Sequence, residues 1–338
     1  MKRYAVLSMG EPSGTSPEMI MKTVREYADD PSAAFIAVGD EAIFRRTAKD
    51  LSLSLPFSFY VENEKELAEA EEAGEPFIFY SSSSSDVSSF SYGCVTAETG
   101  AASFEALRSA VSIIQNGLGH TLVTSPVSGK ALECAGYAER SVFDMLGRFA
   151  SSSRLSNMLL AGSMCIFGLT HRRSLRSAID EVRQENIVSA LVDIDSLRTS
   201  SSFFSRSRPI AVSSLNPMCP DGTWTGPDEE KSIIPAIATA ARIGIDAIGP
   251  LPAEELFERG VRGEFSAILV MTAGEAFAAA ASASPDSTAV ITWGLPFMRI
   301  GPLMDAGLSE AGKGIARTCR LKAAMDIALR LRSASFLA

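Results

Sequence analysis

An α/β protein built on a largely parallel sheet is predicted by three observations. Short apolar runs alternate with amphipathic stretches along most of the chain, a pattern that favours strands separated by helices. The 338 residues are 46% hydrophobic and 21% charged, a composition that builds a sizeable core and is not that of a disordered chain. Loops rich in glycine and proline follow several of the apolar runs, where open α/β sheets bind their ligands. The length exceeds what one compact core usually serves and predicts two lobes, with a barrel in one domain as the alternative.

In chain order, Tyr4 to Met9, Ala34 to Val38, Phe57 to Val61, Phe77 to Tyr80 and Thr121 to Thr124 read as strands. Ser16-Pro17-Glu18 reads as a helix start: a capping oxygen, a proline with fixed φ at the first helical position, and a carboxylate at the positive end of the dipole. This helix is expected to reach about Tyr27. Ser81 to Ser85, continued by Ser88, Ser89 and Ser91, is of low complexity and reads as a mobile surface loop without chemistry. Farther on, Met158 to Leu160, Cys165 to Leu169, Pro209 to Ser213, Ala267 to Met271 and Val290 to Thr292 are strand-like, while Arg183 to Ser200, Glu229 to Arg242 and Lys322 to Leu331 are helical. There is no internal repeat and no obvious linker, so the lobes are expected to exchange segments rather than to follow one another as beads.

Composition excludes several function classes. The net charge is -9 and the lysines and arginines are scattered, which argues against nucleic acid or an anionic membrane and for a small-molecule partner. No apolar run approaches the ~20 residues that span a bilayer, and Met1-Lys2-Arg3 leads directly into a strand-like run, so the expected location is cytoplasmic. Five widely spaced cysteines, Cys94, Cys134, Cys165, Cys219 and Cys319, form neither a disulfide framework nor a zinc knuckle. The only histidines are His120 and His171, so one subunit cannot assemble an all-histidine metal triad.

Generic catalytic motifs fail. Gly10-Glu11-Pro12-Ser13-Gly14 has the wrong spacing for a dinucleotide fingerprint, and Ser128-Gly129-Lys130 lacks the earlier glycine of a phosphate loop and has Ala131 where a magnesium-binding hydroxyl is needed. There is no GxSxG elbow.

Specific segments carry a resemblance. Met9-Gly10-Glu11-Pro12-Ser13-Gly14-Thr15-Ser16-Pro17-Glu18, Val123-Thr124-Ser125-Pro126-Val127-Ser128-Gly129-Lys130, Leu215-Asn216-Pro217, Gly249-Pro250-Leu251-Pro252-Ala253 and Gly294-Leu295-Pro296-Phe297-Met298-Arg299 occur in the order found in one family. They resemble the signatures of the 4-hydroxythreonine-4-phosphate dehydrogenases of pyridoxine biosynthesis, with one extra residue before Lys130, and the likeness runs from about residue 4 to residue 331. It implies a two-lobed α/β/α fold like the isocitrate and isopropylmalate dehydrogenases, an active-site cleft and a homodimer. Residues 1–125 with 285–338 would form the cofactor lobe, and 126–284 the substrate and metal lobe with the dimer contacts. It also implies NAD-dependent oxidation of a phosphorylated hydroxy acid, with a divalent metal polarising the alcohol.

Residue by residue, the resemblance keeps some groups and loses others. His171 occupies the first metal-ligand position, but Met218 and Ala273 stand at the other two, so a divalent metal is expected to be absent or weakly held. Ser141 falls where a substrate histidine lies, Ala280 or Ala281 where a lysine lies, and Val290 where an asparagine lies. Arg299 remains as a substrate contact, joined as candidates by Asn216 and by Arg176 of the Arg172, Arg173, Arg176 cluster, whose planar forks suit phosphate or carboxylate. His171 and Lys130 are the candidate catalytic groups, and Gly294, Gly312 and Gly314 the candidate cofactor contacts. Bland readings stand beside these: His171 as a hydrogen-bonded residue at a strand end, His120 as a loop residue, Arg299 as the partner of a structural carboxylate, Lys130 as cover for a helix end, and the arginine cluster as a solvated turn.

Two functions follow. One is an oxidoreductase with an altered substrate and a rebuilt site to which Glu275, Asp221 or Asp305 lends oxygen ligands or a general base. The other is a catalytically inactive descendant that binds a small anion or a partner protein.

Overall fold

The computed structural model describes residues 3–152, 155–170, 174–200, 204–217 and 227–330. His171, Arg172, Arg173, Met218, Cys219 and Asp221 lie outside the described residues. Twelve strands are present among those described: β1 (Ala5–Ser8), β2 (Phe35–Asp40), β3 (Phe59–Val61), β4 (Phe77–Ser83), β5 (Thr121–Thr124), β6 (Ser156–Ala161), β7 (Met164–Gly168), β8 (Ile210–Ser213), β9 (Ala247–Leu251), β10 (Ala267–Val270), β11 (Ala289–Trp293) and β12 (Met298–Pro302). The chain divides into two compact units, Met1–Leu155 with Ile291–Ser333, and Ser156–Val290.

In the first unit the strand order is β3-β4-β2-β1-β5-β12-β11. β1 pairs in parallel with β2 and β5, and β12 with β5, with Ala5 opposite both Phe35 and Thr121, and Met298 opposite Thr121. β1 and β2 are buried along their whole length, which is why they read as continuous apolar runs rather than alternating ones. Asp40 ends β2 and caps the helix Glu41–Asp50, accepting from Ile43 N at 3.2 Å.

The first unit takes in residues 126–155, which the sequence reading assigned to the second lobe, and its later segment starts at Ile291 rather than at residue 285. Close packing explains the placement. A Cβ on Gly100, in the helix Ala97–Gln115, would lie 2.1 Å from the Ala131 carbonyl oxygen of the helix Gly129–Cys134, so these two helices approach backbone to backbone. Tyr137 stacks on Phe104 with ring centroids 3.8 Å apart.

The second unit has the order β6-β7-β10-β8-β9. β6 and β7 form an antiparallel hairpin that turns at Gly162, while β7, β10, β8 and β9 run parallel. β9 and β12 were not foreseen, because Gly249-Pro250 and Gly301-Pro302 read as loop punctuation. Pro250 is tolerated because β9 is the last strand in the order, and Pro302 because it is the final residue of β12.

Two local expectations need correction. The helix Ser16–Arg25 has Thr15 rather than Ser16 at its N-cap, with no side-chain cap, and Glu18 Oε1 instead accepts from Ala316 N at 3.0 Å and Lys22 Nζ at 2.5 Å. The serine-rich stretch is anchored: Ser81 to Ser83 extend β4, and Asp40 Oδ2 accepts from Ser83 Oγ, Ser85 N and Ser85 Oγ at 3.1, 2.8 and 2.7 Å.

Candidate functional site

Parallel strands direct the loops that follow them to one edge of a sheet, so the ends of β7, β8 and β10 are where the second unit gathers polar groups. Thr170 follows β7 and is buried, its hydroxyl donating to the Met271 carbonyl at 3.1 Å. Ser213, the last residue of β8, accepts from Met271 N at 3.3 Å. Thr272 caps the helix Ala273–Ala283 by accepting from Glu275 N. Glu275 therefore lies in the first turn of that helix, beside the end of β8.

Glu275 is the chemically unusual group here. Its Oε2 accepts from Ser213 Oγ at a long 3.5 Å, and its Oε1 is buried without a hydrogen-bond partner. Burial pushes the carboxyl up to about 7, against the opposing effect of hydrogen bonds from Ser213 and from the Met271 and Thr272 backbone. Such a group changes protonation state near neutral pH, as general acid–base chemistry requires.

The loop after β8 is held by a second carboxylate. Glu229 is fully buried, its Oε1 accepting from Leu215 N and Asn216 N at 2.9 and 2.7 Å and its Oε2 from Asn216 Nδ2 at 2.8 Å. Burial would raise its pKa, but the bonds from Asn216, the Glu229 backbone and Leu215 prevail and lower it. The segment expected to be plain α-helix from Glu229 begins as a π-turn, Glu229–Ile233, before the α-helix Ile234–Arg242. The Asn216 side chain is committed to this clamp, a structural duty that the substrate-contact reading did not include.

Arg299 on β12 is buried in the first unit. Its Nε and Nη2 donate to Thr124 Oγ1 at 2.9 and 2.5 Å and its Nη1 to Thr292 Oγ1 at 3.2 Å. Threonine hydroxyls thus orient the guanidinium fork from β5 and β11. On the neighbouring strand end, Gly10 has φ +75 and a Cβ there would lie 2.4 Å from the Pro126 carbonyl oxygen. Glu11 is fully buried on that turn and accepts from Ser13 N and Ser13 Oγ, with burial raising its carboxyl pKa against those bonds.

Other predicted residues are not brought into these groups. Lys130 is exposed and pairs with Glu133 at 3.0 Å on the surface of its helix. Arg176 is exposed on the short helix Leu175–Ile179. Ser141 caps the helix Val142–Phe149 and donates to Asp144, and Asp305 accepts from Gly307 N at 2.8 Å. His120 Nδ1 lies 2.7 Å from Thr121 Oγ1 in a loop. Among the candidate cofactor glycines, φ is positive at Gly294, Gly312 and Gly314. Gly312 abuts the Tyr92 ring, whereas a Cβ on the exposed Gly314 would meet only Leu51 at 4.0 Å.

The donor set does not fit a three-histidine metal centre. Ala273 has no donor atom, and among the described residues no three His, Cys, Asp or Glu side chains gather as a metal site. Glu229, Thr124 and Asp40 were missed by the sequence reading. Glu229 lies in the run Asp228-Glu229-Glu230-Lys231, which has the composition of a solvated face, and nothing local marks its burial.

An α/β protein with parallel strands and polar strand ends is the class defined by this geometry. It has the fold of a 4-hydroxythreonine-4-phosphate dehydrogenase from Klebsiella pneumoniae, with a TM-score of 0.82, 22% identity, and 98% of this chain and 99% of that one covered. The family model of the pyridoxal phosphate biosynthetic protein PdxA matches residues 31–328, and the chain belongs to that family. A 4-hydroxythreonine-4-phosphate dehydrogenase of Geobacter metallireducens is 29% identical over 330 residues, covering 98% of this chain and 96% of the relative. A Cutibacterium acnes protein provisionally named D-threonate 4-phosphate dehydrogenase is 26% identical over 330 residues, with 95% and 92% covered.

Proposed function

We propose that this protein is an NAD-dependent oxidoreductase acting on a phosphorylated hydroxy acid through a site rebuilt relative to that of its relatives. The observation that carries this reading is the family match over residues 31–328, whose curated relatives are named as dehydrogenases of 4-phosphorylated substrates. Arg299 supports it: a buried guanidinium aligned by two threonine hydroxyls is suited to a phosphate or carboxylate. Gly294, Gly312 and Gly314 would hold the dinucleotide, which when bound accepts hydride from the alcohol carbon. No step is assigned to a metal, because Ala273 removes a donor. The partners that accompany this reading are a small anionic substrate and a second copy in a cytoplasmic homodimer, without nucleic acid; no helix among the described residues is long and apolar enough to cross a membrane.

The test is NADH formation from 4-hydroxythreonine-4-phosphate and D-threonate 4-phosphate, with the chelator-treated protein measured in parallel. Turnover of either substrate that survives the chelator is expected. Ala273 also favours a second reading, an inactive descendant that binds a small anion. Binding of either phosphorylated acid without any NADH would establish that reading and overturn the first.

A further inference from the structure

We propose that Asn116-Gly117 is a site of self-modification, at which Asn116 loses its side-chain amide as ammonia, and that Glu64 on a neighbouring helix sets its rate. The sequence supplies the reactants. Of the five asparagines, Asn63, Asn157 and Asn186 precede Glu, Met and Ile, Asn216 precedes a proline that has no N–H, and only Asn116 precedes glycine. Glycine lets its own amide nitrogen reach the preceding side chain, because no Cβ obstructs the approach. Gly117 has φ +81, and a Cβ there would meet nothing within 4 Å. Asn116 and Gly117 are both exposed, so water reaches them.

The fold supplies the restraint, entirely within the first unit. Asn116 is the C-cap of the helix Ala97–Gln115, with φ -82 and ψ 3. Its Nδ2 donates to Glu64 Oε1 and Oε2 at 2.8 and 2.9 Å, and Ser112 Oγ donates to the same Oε1 at 3.0 Å. Glu64 is the first residue of the helix Glu64–Glu72, 52 positions away along the chain. Gly117 N donates to the Ile114 carbonyl at 3.0 Å. Ring closure needs the Asn116 side chain turned onto the Gly117 nitrogen, and that nitrogen stripped of its proton. The Glu64 bonds oppose the first change and the Ile114 bond the second. The clamp on Nδ2 is charge-assisted, the stronger kind of hydrogen bond.

The chemistry balances with water as the sole co-reactant. Hydroxide removes the Gly117 N–H proton, and the nitrogen electron pair attacks Asn116 Cγ. The Cγ–Nδ2 bond breaks, and Nδ2 takes a proton from water and leaves as ammonia. The cyclic imide that results adds water at either of its carbonyls. Opening the bond from nitrogen to Cγ leaves an aspartate, and opening the bond to the backbone carbon leaves an isoaspartyl linkage; nothing is oxidised or reduced. Either product puts a carboxylate where Nδ2 donated to Glu64, so attraction between the two helices turns to like-charge repulsion.

The experiment follows the peptide that contains Asn116 by mass spectrometry while the full chain stands in mildly alkaline buffer, with isoaspartyl linkages scored by enzymatic methyl transfer. Wild type and Glu64→Ala are compared folded, and the wild type also in urea. In urea, conversion is expected at Asn116 ahead of the other four asparagines. In the folded wild type it is expected to be slower by roughly tenfold or more, and in folded E64A roughly three- to tenfold faster than in the folded wild type. No preference for Asn116 in urea overturns the site. A folded wild type as fast as the urea sample, or E64A no faster than the folded wild type, overturns the restraint. Should E64A not fold, N116D decides the tie between the helices. It is expected to speed amide exchange in the helix Glu64–Glu72, and adding E64Q, whose amide can donate to the new carboxylate, to restore protection. Unchanged exchange in N116D, or no recovery with E64Q, overturns the role of Glu64.

Discussion

Glu275 and Arg299 are buried ionisable groups treated in opposite ways. Arg299 has hydroxyl acceptors aimed at its fork, so its charge is accommodated; Glu275 has one oxygen with no partner and resists ionisation. The sign for stability follows. The folded protein holds the Glu275 proton to about pH 7 whereas an ordinary glutamate releases it near 4.5, so the stabilising contribution is fully present below 4.5 and is lost as pH rises through 7. The loss amounts to about 3 kcal/mol at most. Urea unfolding at about pH 5 and about pH 8 is expected to show a smaller decline in E275Q than in the wild type, the remainder coming from Glu71, whose carboxyl is also pushed up to about 7 by burial. Thr124→Val is expected to cost about 1–3 kcal/mol, more than an exposed substitution of that size, because it removes the acceptor for two donors of a buried guanidinium. Thermal denaturation checks it.

Single carboxylates at strand ends organise whole loops. Asp40 both caps the helix Glu41–Asp50 and holds Ser83 and Ser85, so Asp40→Ala is expected to destabilise by about 1–2 kcal/mol through the cap and to speed amide exchange at Ser85. Glu229→Ala is expected to release the Leu215 and Asn216 amides, seen as faster hydrogen exchange there with β8 itself unchanged. Strand identity and helix alternation were legible in the sequence because apolar periodicity is local, and β1, β2, β5 and β10 fall where it places them. The duties of Asp40 and Glu229 were not, because each depends on a partner that only the folded chain brings near; Asp40 and Ser85 are 45 positions apart. Lys130 reads from sequence as a candidate catalytic group or as cover for a helix end, and the fold pairs it with Glu133 one helical turn away.

For the whole molecule, the two units differ in how they read from sequence. The first is discontinuous, closed by β11 and β12 returning from the far end of the chain, and its boundary at Leu155 depends on helix contacts that glycine at position 100 permits. If NAD binds the folded protein, ligand at 100 times its Kd is expected to add about 2.7 kcal/mol to stability, a shift of a few degrees in Tm. A shift with NAD that survives chelator treatment would agree with a metal-independent site, and one abolished by chelator would contradict it.

By itself, the sequence determined the α/β class, most of the strand positions and the family, since these rest on local periodicity and on motifs carried in order along the chain. It also determined that one subunit cannot assemble an all-histidine metal triad, because the chain has only two histidines. Only the tertiary structure decided which polar groups are satisfied. Glu229 and Glu275 are the same residue type, yet one is saturated by the Leu215 and Asn216 amides and the other retains an open oxygen. Burial and hydrogen bonding at long range set the acidity of a carboxyl, and no local pattern encodes either.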